Sequence, residues 1–183
     1  MLQGGGGALP DLASHCLDLL EMVLGQKISS VTATIKTLIH DYPVDDTVVL
    51  ALEFDGGAVA TVDCLFNLPD QAAPNRLEVY GSAGGILAEG TIGQTTAGMM
   101  KWLQQSSQTS YDGAQSRVSE DGWHVAEYEA TNMYLTQIEE FSAAILGDRL
   151  PPVPGTQGLW IQQVLAACQE SAATDQRVCL RPN

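Results

Sequence analysis

The chain has few basic residues and no long apolar run. It carries 8 Lys and Arg against 22 Asp and Glu in 183 residues, a net charge of −14. This charge repels nucleic acid and anionic membrane surfaces, so we expect neither as a partner. No apolar stretch approaches the roughly 18 residues needed to cross a bilayer. The start, Met1-Leu2-Gln3-Gly4, has no basic region and no signal-peptide core, which predicts a cytoplasmic location.

Cysteine is sparse as well. The four cysteines lie far apart, in different predicted elements and without a CxxC pair: Cys16, Cys64, Cys168 and Cys179. A chain of this length does not need disulfides, so we expect reduced, mostly buried thiols. With 45% hydrophobic and 16% charged residues, the composition is typical of one globular domain with a substantial core.

The apolar periodicity changes twice along the chain. Helical spacing covers residues 10–24, with Gly25 as a C-cap, and the face expected to lie against the sheet carries Leu12, Cys16, Leu19 and Val23. It returns from Tyr134 to about Gly147, with an apolar face of Tyr134, Ile138, Phe141 and Ile145. A Thr156 cap opens another helix, whose apolar face carries Leu159, Trp160, Val164, Ala167 and Cys168. Between and after the helices, alternation predicts strands at 31–36, 47–54, 58–66, 76–80, 85–89, 99–103, 123–127 and 177–180. The hairpins indicate an α+β fold, an open and mainly antiparallel sheet with helices on one face.

One predicted strand, 58–66, is apolar on both faces. Val59 and Leu65 lie on one face, and Val62, Cys64 and Phe66 lie on the other. Because such a strand needs cover on both sides, we predict a dimer or higher oligomer through the sheet face that the helices leave free.

The first helix contains a polar cluster of Asp11, Ser14, His15 and Asp18. Asp11 and His15 are four apart and share a helix face, where a carboxylate can orient an imidazole for proton transfer near neutral pH. Spacing alone favours a solvated acidic edge, with Asp11 stabilising the helix N-terminus. A metal site is not predicted, because two further ligands are needed and the other histidines lie in unrelated segments.

Two glycine-rich segments are not dinucleotide fingerprints. Such a fingerprint follows a strand and opens a βαβ unit, whereas Gly4–Gly7 reads as a flexible lead-in and Gly81–Gly85 as a hairpin. We therefore assign no cofactor-binding residue, and we expect no NAD or NADP binding by this chain alone. The pair Asp45-Asp46 fits a turn better than a carboxylate dyad.

Several segments together resemble the C-terminal domain of Gfo/Idh/MocA oxidoreductases. The segment that opens the first helix matches the family pattern. A Gly-Gly-Gly lead-in is followed by Asp11, then after three residues by His15, and after two more by Asp18. The other matching segments are Val44–Thr47, Phe54–Ala58, Leu77–Gly85, Phe141–Arg149 and Arg177-Val178. The matches span nearly the whole chain, and their order and spacing are more specific than any one of them.

The resemblance implies that residues 1–183 are the substrate-binding and dimerisation domain of a two-domain enzyme. The N-terminal Rossmann domain that binds NAD or NADP is absent from this chain, so the chain alone should not turn over substrate. The substrate would be a sugar, polyol or related secondary alcohol. His15 corresponds to the proton-transfer residue, Asp11 to its partner near the substrate and Asp18 to a structural acid. The alternative is a non-catalytic dimerisation or binding module that retains the fold.

Overall fold

The computed structural model describes residues 6–73, 75–93, 98–105, 122–129 and 131–181. They divide into two compact units, Met1–Leu68 with Pro152–Asn183, and Pro69–Pro151. The helices are a π-helical turn (Leu9–Ala13), α1 (Ser14–Leu24), a 3-10 turn (Asp70–Ala72), α2 (Met133–Leu146) and α3 (Gly155–Thr174). The strands are β1 (Ile28–Lys36), β2 (Thr47–Phe54), β3 (Val59–Leu65), β4 (Arg76–Gly81), β5 (Gly84–Glu89), β6 (Met99–Gln104), β7 (His124–Val125) and β8 (Val178–Cys179).

The first unit is built on an antiparallel sheet with strand order β3-β2-β1-β8. Strand alternation decides which face is covered: Val48, Leu50, Leu52 and Phe54 of β2 are buried, as the sequence predicts. Helix α3 lies against β1, and the π-helical turn contacts β2 and β3. One face of this sheet is therefore the core of the unit.

The short β8 leaves part of β1 without a strand neighbour. Beyond the two residues that pair with β8, the Ala33 N–H donates 3.0 Å to the Ser171 Oγ on α3. Ser171 in turn donates to the Gln176 carbonyl, 2.6 Å away, at the end of the same helix. A buried hydroxyl thus replaces the missing ladder bond and fixes α3 on the sheet.

The second unit contains a four-stranded antiparallel meander, β4-β5-β6-β7, and helix α2. The predicted hairpin at Gly81 and Gly84 is confirmed, since β4 and β5 pair with these two glycines opposite each other. Asn132 caps α2 by accepting from the N–H groups of Tyr134 and Leu135. The predicted apolar face of α2 exists, but its four side chains are exposed: Tyr134, Ile138, Phe141 and Ile145.

The α+β class with antiparallel pairing is confirmed, and three details differ from the sequence prediction. The strands in the described residues form two four-stranded sheets in place of one. Thr156 lies inside α3, which begins after Pro154 without a side-chain cap. Leu159, assigned to the apolar face of α3, is exposed, and its neighbour Ile161 is buried instead.

Parts of two predicted loops fall outside the described residues. They are the first residues of the Gly4–Gly7 lead-in and most of the segment from 90 to 122. Within the described segments, no helix is both long and apolar enough to span a bilayer.

Candidate functional site

The predicted pair of Asp11 and His15 lies on the surface of the first helix. Both side chains are exposed, and Asp18, one turn further on, is half-buried. Asp11 sits in the π-helical turn, which the Ser14 N–H closes by donating to the Leu9 carbonyl five residues back. Such turns are rare and often mark functional sites.

The buried side of this helix differs from the predicted one. The sequence analysis placed Leu12, Cys16, Leu19 and Val23 against the sheet, but Leu12 and Val23 are 36% and 40% exposed. The fully buried positions are Leu9, Ala13, Leu17 and Glu21, four residues apart. The buried face of the helix differs from the predicted one because it includes the charged residue Glu21, which apolar periodicity does not identify as buried. His15 is exposed and lies away from the core, on the side of the helix that also exposes Leu12.

The start of the helix is held by the turn before β2. The Ala8 N–H donates to the Asp45 carbonyl at 3.0 Å, and the Leu9 N–H donates to Asp45 Oδ2 at 2.7 Å. Asp45 thereby caps the helix from 36 positions away, so the helix needs no capping side chain of its own. A Cβ at Gly7 would overlap the Asp45 carbonyl, which explains why glycine is needed there.

Asp46, the next residue, organises the loop between β1 and β2. Its carboxylate accepts from the N–H groups of Leu38, Ile39 and His40 at 2.9–3.0 Å, and from Thr47 Oγ1 at 2.8 Å. Burial opposes the charge, but these donors outweigh it and hold the pKa of Asp46 well below its ordinary value. The sequence interpretation of Asp45-Asp46 as a turn therefore agrees with their contacts.

The sequence analysis did not predict that Glu21, on the same helix as His15, is buried. Its carboxylate accepts from Trp160 Nε1 at 2.6 Å, the Ile28 N–H at 2.9 Å, Lys27 Nζ at 2.7 Å and Gln157 Nε2 at 3.0 Å. Burial raises its pKa, but these donors outweigh that effect and the pKa is lowered. The sequence did contain a signal for this. Glu21 follows Leu17 by four residues, as Leu17 follows Ala13, so the three residues share one face of the helix.

Gln157 extends this network to the acid beside His15. The same amide nitrogen also donates to Asp18 Oδ1 at 2.8 Å, and Lys27 Nζ donates to the amide oxygen of Gln157 at 2.5 Å. Asp18 is thus engaged with α3, which fits the structural role that the resemblance implied. The network fixes α1 to α3 and so fixes the surface that carries His15.

The exposed pair can bind a polar ligand and exchange a proton with it. A neutral imidazole has one hydrogen-bond donor and one acceptor nitrogen, and a carboxylate can accept a hydrogen bond from a hydroxyl group. The described residues contain no group of three or more His, Cys, Asp or Glu side chains arranged to hold a metal ion. His40 instead lies near Phe66, with 3.1 Å between its Nε2 and the Phe66 carbonyl oxygen.

Residues 2–87 match the family model described as the GFO/IDH/MocA C-terminal domain. The matched segment contains the first helix with Glu21, the turn with Asp45, strands β1 to β4 and the start of β5. The resemblance given by the motifs is therefore confirmed over residues 2–87, a segment that includes Asp11 and His15.

Similarity to known proteins extends past the matched segment. A 1,5-anhydro-D-fructose reductase from Ensifer adhaerens is 25% identical over 177 residues, 95% of this chain and 47% of that protein. The fold matches a crystal structure of aldose-aldose oxidoreductase from Caulobacter crescentus complexed with glycerol, at a TM-score of 0.80 and 22% identity, over 97% of this chain and 48% of that one.

A second solved structure is levoglucosan dehydrogenase in complex with NADH and levoglucosan. It matches at a TM-score of 0.77 and 19% identity, over 97% of this chain and 51% of that one. At these identities the two structures establish the fold alone. The chain spans about half the length of each of these three relatives.

Proposed function

We propose that this chain is the substrate-binding part of an NAD(P)-dependent oxidoreductase that acts on a sugar, polyol or related secondary alcohol. The observation that carries the proposal is the exposed Asp11 and His15 on a helix fixed at both ends. Asp45 anchors the N-terminal end, and Glu21 anchors the C-terminal end to α3. The names of the relatives, a sugar reductase and sugar dehydrogenases among them, give the same chemical class.

His15 is the proposed proton-transfer residue. Its imidazole would accept the proton of a substrate hydroxyl, and Asp11 would orient the imidazole or a second hydroxyl of the substrate. Asp18 is excluded from this role because it is already bonded to Gln157. Leu12, three residues before His15 on the same helix, is an exposed apolar side chain against which another domain could close and exclude water.

The nicotinamide cofactor does not fit the residues described here. A dinucleotide-binding unit needs parallel strands joined by a helix, whereas every strand pair in the described segments is antiparallel. We propose that a separate nucleotide-binding domain supplies the cofactor, whose chemistry is to accept or donate the hydride. We expect calorimetric titration of this chain with NAD or NADP to detect no binding.

Self-association is the second part of the proposal. The face of the first sheet away from the helices exposes Val49, Ala51, Val59 and Thr61, small or β-branched residues that suit packing against a second copy. The same surface favours the alternative function, a non-catalytic dimerisation or binding module. A cytoplasmic location, with reduced thiols, is also part of the proposal.

Substrate binding at His15 can be tested by following histidine ring signals in NMR. The chain has three histidines, so a His15→Gln variant assigns the signal of interest. Titration with levoglucosan and with glycerol should shift the His15 signals saturably and leave those of His40 and His124 in place. Asp11→Asn should weaken binding, whereas Asp41→Asn, an exposed carboxylate in another loop, should not. A chain that dimerises but shows no saturable His15 shift would favour the non-catalytic module.

A further inference from the structure

Two cysteines that are distant in sequence meet beside the candidate site. The sulfur atoms of Cys16 on α1 and Cys64 on β3 lie 3.9 Å apart, although 48 positions separate them along the chain. Both are free thiols. Cys16 directly follows His15, so this contact joins the turn that carries His15 to the edge strand of the first sheet.

The two thiols differ in access and acidity. Cys64 is buried, whereas Cys16 is half-buried and can be reached from solvent. The hydrogen bond with Cys64 lowers the pKa of the Cys16 thiol, against the opposing effects of burial and the Asp63 carboxylate. The same bond, together with burial, raises the pKa of Cys64. Cys16 is the thiol that an oxidant in solvent reaches first, and Cys64 lies in contact with it.

We propose that Cys16 and Cys64 are an oxidisable pair that closes to an intramolecular disulfide when the protein meets a peroxide. The Cys16 thiolate attacks one peroxide oxygen, breaks the O–O bond and becomes a sulfenic acid, while the other oxygen leaves as water after protonation. The Cys64 sulfur then displaces hydroxide from the Cys16 sulfur, and a second water forms. Overall, two thiols lose two electrons and two protons, and the peroxide takes up both.

The sulfur atoms are already in contact. To form the disulfide they must approach from 3.9 Å to roughly 2.05 Å. The remaining cysteines are poorly placed: Cys168 is buried, with its pKa raised to about 12 by burial, and Cys179 is exposed on β8. The disulfide would tie the helix turn beside His15 to β3, a constraint that a reducing compartment would remove.

The test treats the full chain with hydrogen peroxide in a Cys179→Ser background, which prevents crosslinks between chains. We expect the intact mass to fall by roughly 2 Da and a non-reduced digest to contain the peptides of Cys16 and Cys64 joined. Because the disulfide closes a 48-position loop in the unfolded chain, the thermal midpoint should rise by on the order of 10 °C and return after dithiothreitol.

Single variants complete the test. Cys16→Ser should abolish both the joined peptide and the rise in the midpoint, and Cys64→Ser should do the same while leaving a sulfenic acid at Cys16. If the Cys64→Ser variant does not fold, the comparison is made with Cys16→Ser alone. Cys16 is only half-buried, so we expect this substitution to be tolerated. Oxidation of Cys16 to the sulfinic acid without a crosslink, a bond to Cys168 or full resistance to peroxide would each overturn the proposal.

Discussion

The Trp160 indole N–H donates to Glu21 Oε1 at 2.6 Å and joins the last helix of the chain to the first, across 139 positions. Both side chains are nearly inaccessible, with Glu21 4% and Trp160 9% exposed. Three more donors complete the shell of the carboxylate, from Lys27, Ile28 and Gln157. A charged residue is tolerated at this depth because each of its oxygens is hydrogen-bonded.

Removal of the Glu21 carboxylate should destabilise the protein strongly. Glu21→Ala leaves the Trp160 and Ile28 N–H groups buried without an acceptor, so we expect the free energy of unfolding to fall by about 2–4 kcal/mol. Urea denaturation at neutral pH measures this. The control is Glu140→Ala, which breaks the exposed ion pair with Arg149 and should cost about 0.5 kcal/mol or less. Equal losses for the two variants would contradict the role of Glu21.

Substitution of His15 should separate activity from stability. In an enzyme that joins this chain to its nucleotide-binding domain, His15→Ala should lower kcat by about 10²- to 10⁴-fold, because general-base assistance is lost. The exposed side chain contributes little to folding, so the free energy of unfolding should change by about 0.5 kcal/mol or less. Steady-state kinetics and urea denaturation measure the two effects.

Met22→Ala is the matched control for His15→Ala. Met22 lies two turns further along the same helix and is 71% exposed, so its truncation should leave both kcat and stability nearly unchanged. If kcat survives the loss of His15, or falls only in proportion to unfolding, the assignment of His15 as the base is wrong.

Asp46 should make stability depend on pH at the acid end. Its pKa in the folded state lies below the unfolded value near 3.9, because the N–H groups of residues 38–40 hydrogen-bond the charged form. The resulting stabilisation is fully present above that unfolded value and is lost as the pH falls towards the folded-state pKa.

Asp46→Asn should therefore lower the urea midpoint at pH 7, and the difference from the unmodified chain should narrow at about pH 3. Asp41→Asn, an exposed carboxylate in the same loop, should leave the midpoint unchanged at both pH values. If the difference in urea midpoint between Asp46→Asn and the unmodified chain stays constant with pH, Asp46 acts through packing and not through its charge.

The outer face of the first sheet should determine the oligomeric state. We expect a dimer or higher oligomer at micromolar concentration, and Val49→Lys should convert it to a monomer, because Val49 lies at the centre of that face and is 47% exposed. Analytical ultracentrifugation measures this. Leu38→Lys, at a 62% exposed position in a loop, should leave the oligomer intact. A monomeric unmodified chain would contradict the proposed interface.

Local pattern was sufficient for most of the fold. Every second residue of strand β2 is buried, and Gly25 adopts the left-handed conformation expected of a C-cap. These features depend on neighbouring residues, which a single sequence displays. The prediction of the buried face of α1 was wrong for the opposite reason. Which face is buried depends on tertiary contacts, and here Glu21 is buried against Trp160 of α3.

The sequence by itself determined the α+β class, the antiparallel hairpins and the family resemblance, since each follows from periodicity or from motif order. Only the tertiary structure decided that Glu21 is buried, that Asp45 caps the first helix and that Cys16 meets Cys64. Those relationships join residues 36 to 139 positions apart. They depend on how the helices pack on the sheet, and the periodicity of a single segment carries no information about that packing.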